Sequence, residues 1–169
     1  MSLAILAVLI IIFLISTMVL VKSICIVESR YVVFVERLGR YYRTLSEGRF
    51  FIVPFMDKIA GRLFLGEEVL DIPSENFQSG DGKNIQAEGY VTIQVEYPLE
   101  TFYGIQDYKQ AVLKLSHTVM RNMFSSRDLQ SVLLHPDSLE ENMAVSQLQE
   151  PFEGKIKILG FEISSVKEI

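Results

Sequence analysis

Tyr90-Val91-Thr92-Ile93-Gln94-Val95-Glu96-Tyr97-Pro98 decides the fold class. Val91, Ile93 and Val95 alternate with Thr92, Gln94 and Glu96, the period of a strand with one buried and one wet face. From Pro98 the period changes. Tyr108, Ala111, Val112, Leu115, Val119 and Met123 recur at spacings of three and four, which predicts an amphipathic helix. Pro98 suits a first-turn position of that helix. A second helix is expected from about Pro136, with Asp137, Glu140 and Glu141 where the helix dipole favours negative charge. Its inward residues are Leu139, Met143 and Leu148, and Pro151 stops it. Gly154 opens a last strand carrying Ile156, Ile158, Phe161 and Ile163 mostly on one side, interrupted at Gly160.

Upstream, Ile24 to Leu38 reads as one strand, apolar on both faces at Tyr31-Val32-Val33-Phe34-Val35 and closed by Gly39. Thr44-Leu45-Ser46-Glu47-Gly48 is a turn leading into Arg49-Phe50-Phe51-Ile52-Val53-Pro54-Phe55-Met56. That run is too short to span a bilayer. Core packing explains it, and so does dipping an edge into a membrane interface. Leu63 to Ile72 reads as a further strand ended by Pro73, and Gly80-Asp81-Gly82-Lys83-Asn84 as a turn. Strands, two helices and a final strand make an α+β domain. The expected division is an anchor at 1–22, a membrane-proximal part at 23–73 and a distal part at 74–169.

The anchor follows from the first 21 residues, which hold no charged side chain before Lys22. From Leu3 to Val21, through Ile10 and Phe13, a helix reaches roughly 28 Å, close to the ~30 Å hydrocarbon core. Fourteen of these positions are Leu, Ile, Val or Phe, favouring insertion by about 4–8 kcal/mol. A cleaved signal peptide would want a basic leading segment and a small-x-small cleavage site. Neither is present, and Lys22 spoils a lipoprotein reading of Cys25. The lone cysteine allows no internal disulfide; S-acylation or simple packing are its two readings.

Charge sets orientation and contact. No Lys or Arg precedes the span, and Lys22, Arg30, Arg37 and Arg40 follow it, so the positive-inside rule places the C-terminal domain in the cytoplasm. The expected location is the plasma membrane (the bacterial inner membrane), crossed once. Between Lys22 and Met56 six basic residues face three acidic ones, whereas the rest carries 10 basic and 18 acidic. A basic proximal part suits anionic headgroups, with Lys22, Arg37, Arg40, Arg43 and Arg49 as candidate lipid-surface contacts. Phe50, Phe51, Ile52, Phe55 and Met56 are candidates for interface insertion. A pI near 5.1 argues against nucleic acid as the main partner.

A search for catalytic chemistry comes up empty. His117 and His135 lie in no metal-ligand spacing, and His117 falls off the apolar stripe, which predicts a solvated or partner-facing side chain. No nucleophile elbow, phosphate-binding loop or dinucleotide fingerprint is present. A hydrolase would have to assemble distant residues such as Ser116, His117 and Asp128. The expectation is no enzyme, no cofactor and no metal.

Several ordered motifs carry a family resemblance. Val35-Glu36-Arg37-Leu38-Gly39-Arg40-Tyr41, Thr44-Leu45-Ser46-Glu47-Gly48 and Val53-Pro54-Phe55-Met56-Asp57-Lys58-Ile59 resemble the start of the stomatin–prohibitin–flotillin–HflK/C (SPFH, band 7) domain. Val69-Leu70-Asp71-Ile72-Pro73, the strand at Tyr90, Met120-Arg121, Asp137-Ser138-Leu139 and Gly160-Phe161-Glu162-Ile163 continue it in order, nearest the stomatin-like, paraslipin type. Glu28-Ser29-Arg30-Tyr31 departs from the family's Pro-x-Gly entry, and Gly80-Asp81-Gly82-Lys83-Asn84 replaces a Lys-Asp-Asn type turn. The resemblance implies a membrane scaffold that self-associates and organises microdomains or membrane protein complexes. It also implies NfeD-type proteins or AAA-type membrane proteases as partners. Relatives continue into a long Ala/Glu-rich coiled coil where this sequence ends at Ile169. The expectation is therefore a naturally shortened homologue, a truncated piece of a longer protein, or a subunit that borrows contacts from a longer SPFH homologue. The alternative to the scaffold is a regulatory adaptor of a membrane-bound AAA-type protease or channel, acting as a small oligomer.

Overall fold

The computed structural model describes residues 2–127, 140–152 and 154–168, with side chains omitted at 2–4, 15, 19–22 and 140–142. The chain divides into two compact units, Met1–Phe64 and Leu65–Ile169.

In the first unit, helix α1 (Ser2–Lys22) leads directly into β1 (Ile24–Val27). Four more strands follow: β2 (Tyr31–Arg37), β3 (Arg40–Leu45), β4 (Gly48–Phe51) and β5 (Asp57–Phe64). β1 pairs antiparallel with β4, and β2 lies between β3 and β5. The single strand expected over Ile24 to Leu38 is therefore two. Arg30, at φ 65°, breaks it without a glycine or proline to signal the turn. The turn expected at Thr44 begins later, because Thr44 and Leu45 pair with Phe34 and Val33. Val32 to Val35 are all buried, in keeping with a strand apolar on both faces. Cys25, Val27, Val33, Val35 and Leu45 form a small core, against which Phe50, Ile52 and Ile59 pack. The Cys25 thiol is thus a packed core group.

Among the described residues no helix is long and apolar enough to cross a membrane. In α1 the described side chains are those of 5–14 and 16–18, all exposed. The side chains of Leu3, Val21 and Lys22 lie outside the described residues.

The second unit is an antiparallel sheet, β6 (Glu67–Gln78), β7 (Asn84–Val95) and β8 (Ile156–Glu168), with β7 central. β7 keeps the alternation read from its sequence, with Val91, Ile93 and Val95 buried. Pro73 does not end β6. It sits in a bulge between Ile72 and Glu75, on an edge strand where a missing N–H is tolerated. A second irregularity, around Leu159, matches the interruption expected at Gly160.

The helix begun at Pro98 is also two. α2 (Pro98–Gly104) stops, and α3 (Tyr108–Ser125) restarts under a cap in which Asp107 accepts from the Gln110 amide at 3.1 Å. α4 (Glu140–Gln149) ends in a 3-10 turn at Glu150–Phe152. His135, Pro136, Asp137, Ser138 and Leu139 lie outside the described residues. Val112, Val119, Met120 and Phe124 of α3 and Ala144 and Leu148 of α4 cover the sheet's buried face. Gln149 clips α4 to β8, donating to the Ile156 carbonyl at 2.9 Å and accepting from the Ile158 amide at 2.8 Å.

A Cβ at Gly89 would lie 2.3 Å from the Glu162 carbonyl oxygen across the ladder, while at Gly104 it would meet nothing within 4 Å. Gly89→Ala is expected to lower unfolding stability by about 1–3 kcal/mol through forced strand separation. Gly104→Ala should be neutral or stabilising by up to about 1 kcal/mol. Urea midpoints of the two variants, compared with the parent in one detergent, test the difference.

Candidate membrane-contact surface

The sequence run Arg49 to Met56 is sorted by the pleat of β4 and the loop after it. Phe50 and Ile52 turn inward to the small core. Phe51, Val53, Phe55 and Met56 turn outward, with Phe51 72% and Phe55 95% exposed. Core packing and surface display are thus both realised, on different residues of one run. The Ile52 amide donates to the Ser23 carbonyl at 2.8 Å, so this loop starts beside the exit of α1.

The β2–β3 hairpin reaches the same place. Leu38 and Gly39 form its two-residue turn, both at positive φ (51° and 79°), the geometry that favours Asn-Gly. A leucine there costs about 1–2 kcal/mol, yet Leu38 is 77% exposed and gains no core contact in return. Its amide donates to the Met56 carbonyl at 3.1 Å, tying the two loops together. Phe55 likewise sits at φ 73°. Two bulky apolar side chains are therefore held in the left-handed region and displayed to solvent at one tip. Strain of this kind persists where the surroundings over-determine it.

Asp57 supplies that determination. Its side chain is fully covered, and Arg37 grips it with a fork, Nε to Oδ1 at 2.7 Å and Nη2 to Oδ2 at 3.1 Å. The Val53 amide donates to Oδ2 at 2.8 Å, and the Asp57 amide returns to the Val53 carbonyl at 2.8 Å. The hydrogen bonds from Arg37, then the one from Val53, hold the Asp57 carboxyl down from 3.8 to about 2. Arg37 also stacks on Tyr42, its Cζ 3.9 Å from the ring centroid.

The sequence groups Arg37 and Arg43 with Arg40 and Arg49 as headgroup contacts; the structure turns the first two inward. Arg37 serves Asp57, and Arg43 donates to the Phe51 carbonyl with its Nε buried and unbonded. Local pattern could not reveal a partner twenty residues away. Arg40 and Arg49 remain exposed, as does Lys58, which sequence reasoning did not single out. None of these three makes an ion pair among the described residues.

The second unit holds different chemistry. Ser116 is fully buried and donates to the Val112 carbonyl at 2.9 Å, which closes it to substrate. Of the two readings for His117, solvated or partner-facing, the first does not hold. Its side chain is 17% exposed, with Nδ1 3.1 Å from Glu75 Oε2 and its ring against Phe77. Glu75 is the residue at which β6 resumes pairing after its bulge. Asp128 lies outside the described residues, and no three metal-ligating side chains converge among the described residues. Glu68 pairs with Lys109 and Tyr108, and burial, then Glu68, pushes the Tyr108 hydroxyl up to about 12.

Comparison with known proteins agrees with the motifs. The model of the SPFH domain / Band 7 family matches residues 25–168, and the chain belongs to that family. It is 29% identical over 134 residues to the mitochondrial stomatin-like protein 2 of Rattus norvegicus, covering 78% of this chain and 37% of that one. An uncharacterized protein of Schizosaccharomyces pombe is 33% identical over 135 residues, covering 79% and 38%. One of Mycobacterium bovis is 31% identical over 125, covering 74% and 33%. The match thus spans less than two fifths of the length of these relatives.

Two outcomes check this geometry. Leu38→Asn supplies the residue the turn favours and is expected to raise stability by about 1 kcal/mol, read as a higher unfolding midpoint. Because the folded value of Asp57 is depressed, its stabilisation is complete above the unfolded value near 3.8 and lost as pH falls through about 2. A carboxyl NMR titration should find Asp57 still ionised at pH 3; a midpoint near 4 would contradict the clamp.

Proposed function

We propose that this chain is a membrane-anchored scaffold subunit that organises membrane microdomains or membrane protein complexes through its SPFH domain. Membership of the family and likeness to a stomatin-like protein support a membrane-associated scaffold in general terms. The finer reading rests on the chain's own residues. The observation that carries it is the exposed apolar tip beside the exit of α1, joined there by the Ile52 to Ser23 hydrogen bond.

The 21 residues of α1 would reach about 31 Å as a helix, a bilayer's depth. With α1 in the membrane and its C-terminal end cytoplasmic, the first unit rests on the headgroups. Arg40, Arg49 and Lys58 then meet anionic lipid, each contributing about 1 kcal/mol near a charged surface. The acidic remainder of the chain faces protein partners, and the role needs no catalytic group.

Charge reversal of Arg40, Arg49 and Lys58 together should weaken binding of an α1-deleted chain to anionic vesicles. Binding unchanged by the substitutions would remove the headgroup role. Particle size in mild detergent separates the scaffold from the adaptor reading. A megadalton-scale particle is expected, whereas a small species would favour a regulatory adaptor of a membrane protease or channel.

A further inference from the structure

We propose that Leu38 and Phe55 form a prong that enters the acyl region of the bilayer, and that Arg37 and Asp57 are positioning residues that hold it erect. The proposal rests on the membrane-anchored reading above and deepens it by naming the inserted side chains and what aims them.

Four observations converge. First, Leu38 and Phe55 are among the most exposed large apolar residues described outside α1, and they come from two loops joined by the Leu38 to Met56 backbone bond. Second, both stand in a backbone conformation that L side chains avoid, so neither position was settled by local preference. Folding alone would be better served by Asn or Gly at each. Third, the loop bearing Phe55 has almost no apolar support of its own. Its shape is imposed by one covered carboxylate that bonds both ends, the Val53 amide on one side and the Arg37 fork from β2 on the other. Fourth, three basic side chains are exposed nearby, Arg40 and Lys58 on the neighbouring strands and Arg49 on β4, alongside half-exposed Glu36 and exposed Glu47.

An apolar point with exposed basic side chains on the adjoining strands suits a lipid surface, with hydrocarbon beneath a layer of phosphate. A protein groove would want acidic residues around an apolar pocket, which is a different partner. Proximity to the apolar helix α1, whose exit is bonded to Ile52, favours lipid. The rigid clamp matters because a loop that must be ordered on insertion loses free energy to that ordering, whereas a pre-set loop does not.

The chain contains no tryptophan, so Phe55→Trp places a single reporter at the point of the prong. The full-length variant is reconstituted into phosphatidylcholine–phosphatidylglycerol vesicles, with and without brominated acyl chains, and floated on a density gradient. The expected result is blue-shifted emission, strong quenching by the brominated lipid and shielding from aqueous acrylamide. In the Asp57→Asn and Arg37→Lys backgrounds the brominated-lipid quenching should fall at least twofold while the protein still floats. Arg37→Lys keeps the charge but not the fork, and circular dichroism confirms that each variant is folded. An indole that stays acrylamide-accessible and unquenched by brominated lipid in floating parent vesicles would overturn insertion and point to a protein partner for the tip. Equal quenching in all three backgrounds would overturn the positioning role. Failure to float would instead sink the anchored reading on which the prong depends.

Discussion

One covered carboxylate organises the first unit. Asp57 opens β5, faces Arg37 across the ladder and receives the Val53 amide, so a strand, a hairpin and a loop meet on its two oxygens. A carboxylate without solvent is costly unless its lone pairs are filled by hydrogen bonds and an opposite charge. Here they are filled, and the filling fixes the loop from Val53 to Met56. Removing Arg37 would leave the covered carboxylate without its opposite charge, a larger penalty than the pair's own net contribution. The strained turn residues Leu38 and Phe55 lie next to that frame, one beside Arg37 and the other between Val53 and Asp57.

The two units differ in their cores and in the apolar surface they expose. The second has the larger core: a sheet whose central strand is buried on alternate residues, covered by α3 and α4 and clipped by Gln149. The first has a core of a few residues, and much of its apolar content is on display. An isolated soluble domain gains nothing from an exposed phenylalanine at positive φ. Beside a lipid surface the same residue has an apolar phase to enter. That contrast is why the tip, rather than any pocket, is the informative surface of this protein.

The α+β class was legible because β7 alternates cleanly and α3 repeats at helical spacing, and the family's motifs stand in order along the chain. What escaped was non-local. Ile24 to Leu38 read as one strand because Glu28-Ser29-Arg30 carries no glycine or proline to announce the turn. β3 escaped because Arg40 to Leu45 is held by pairing to β2, with no apolar alternation of its own. Pro73 misled because an edge strand can carry a proline in a bulge. At the tip, composition identified the apolar run and the arginines. It could not say which faces pointed out, because that depends on the pleat of β4 and on Asp57 capturing Arg37.

Everything proposed for function requires that α1 holds the first unit against lipid. Alkaline carbonate extraction of membranes containing the full-length chain tests this most directly. The account predicts that the protein stays in the pelleted bilayer and is released only by detergent. Recovery of folded protein in the carbonate supernatant would contradict it.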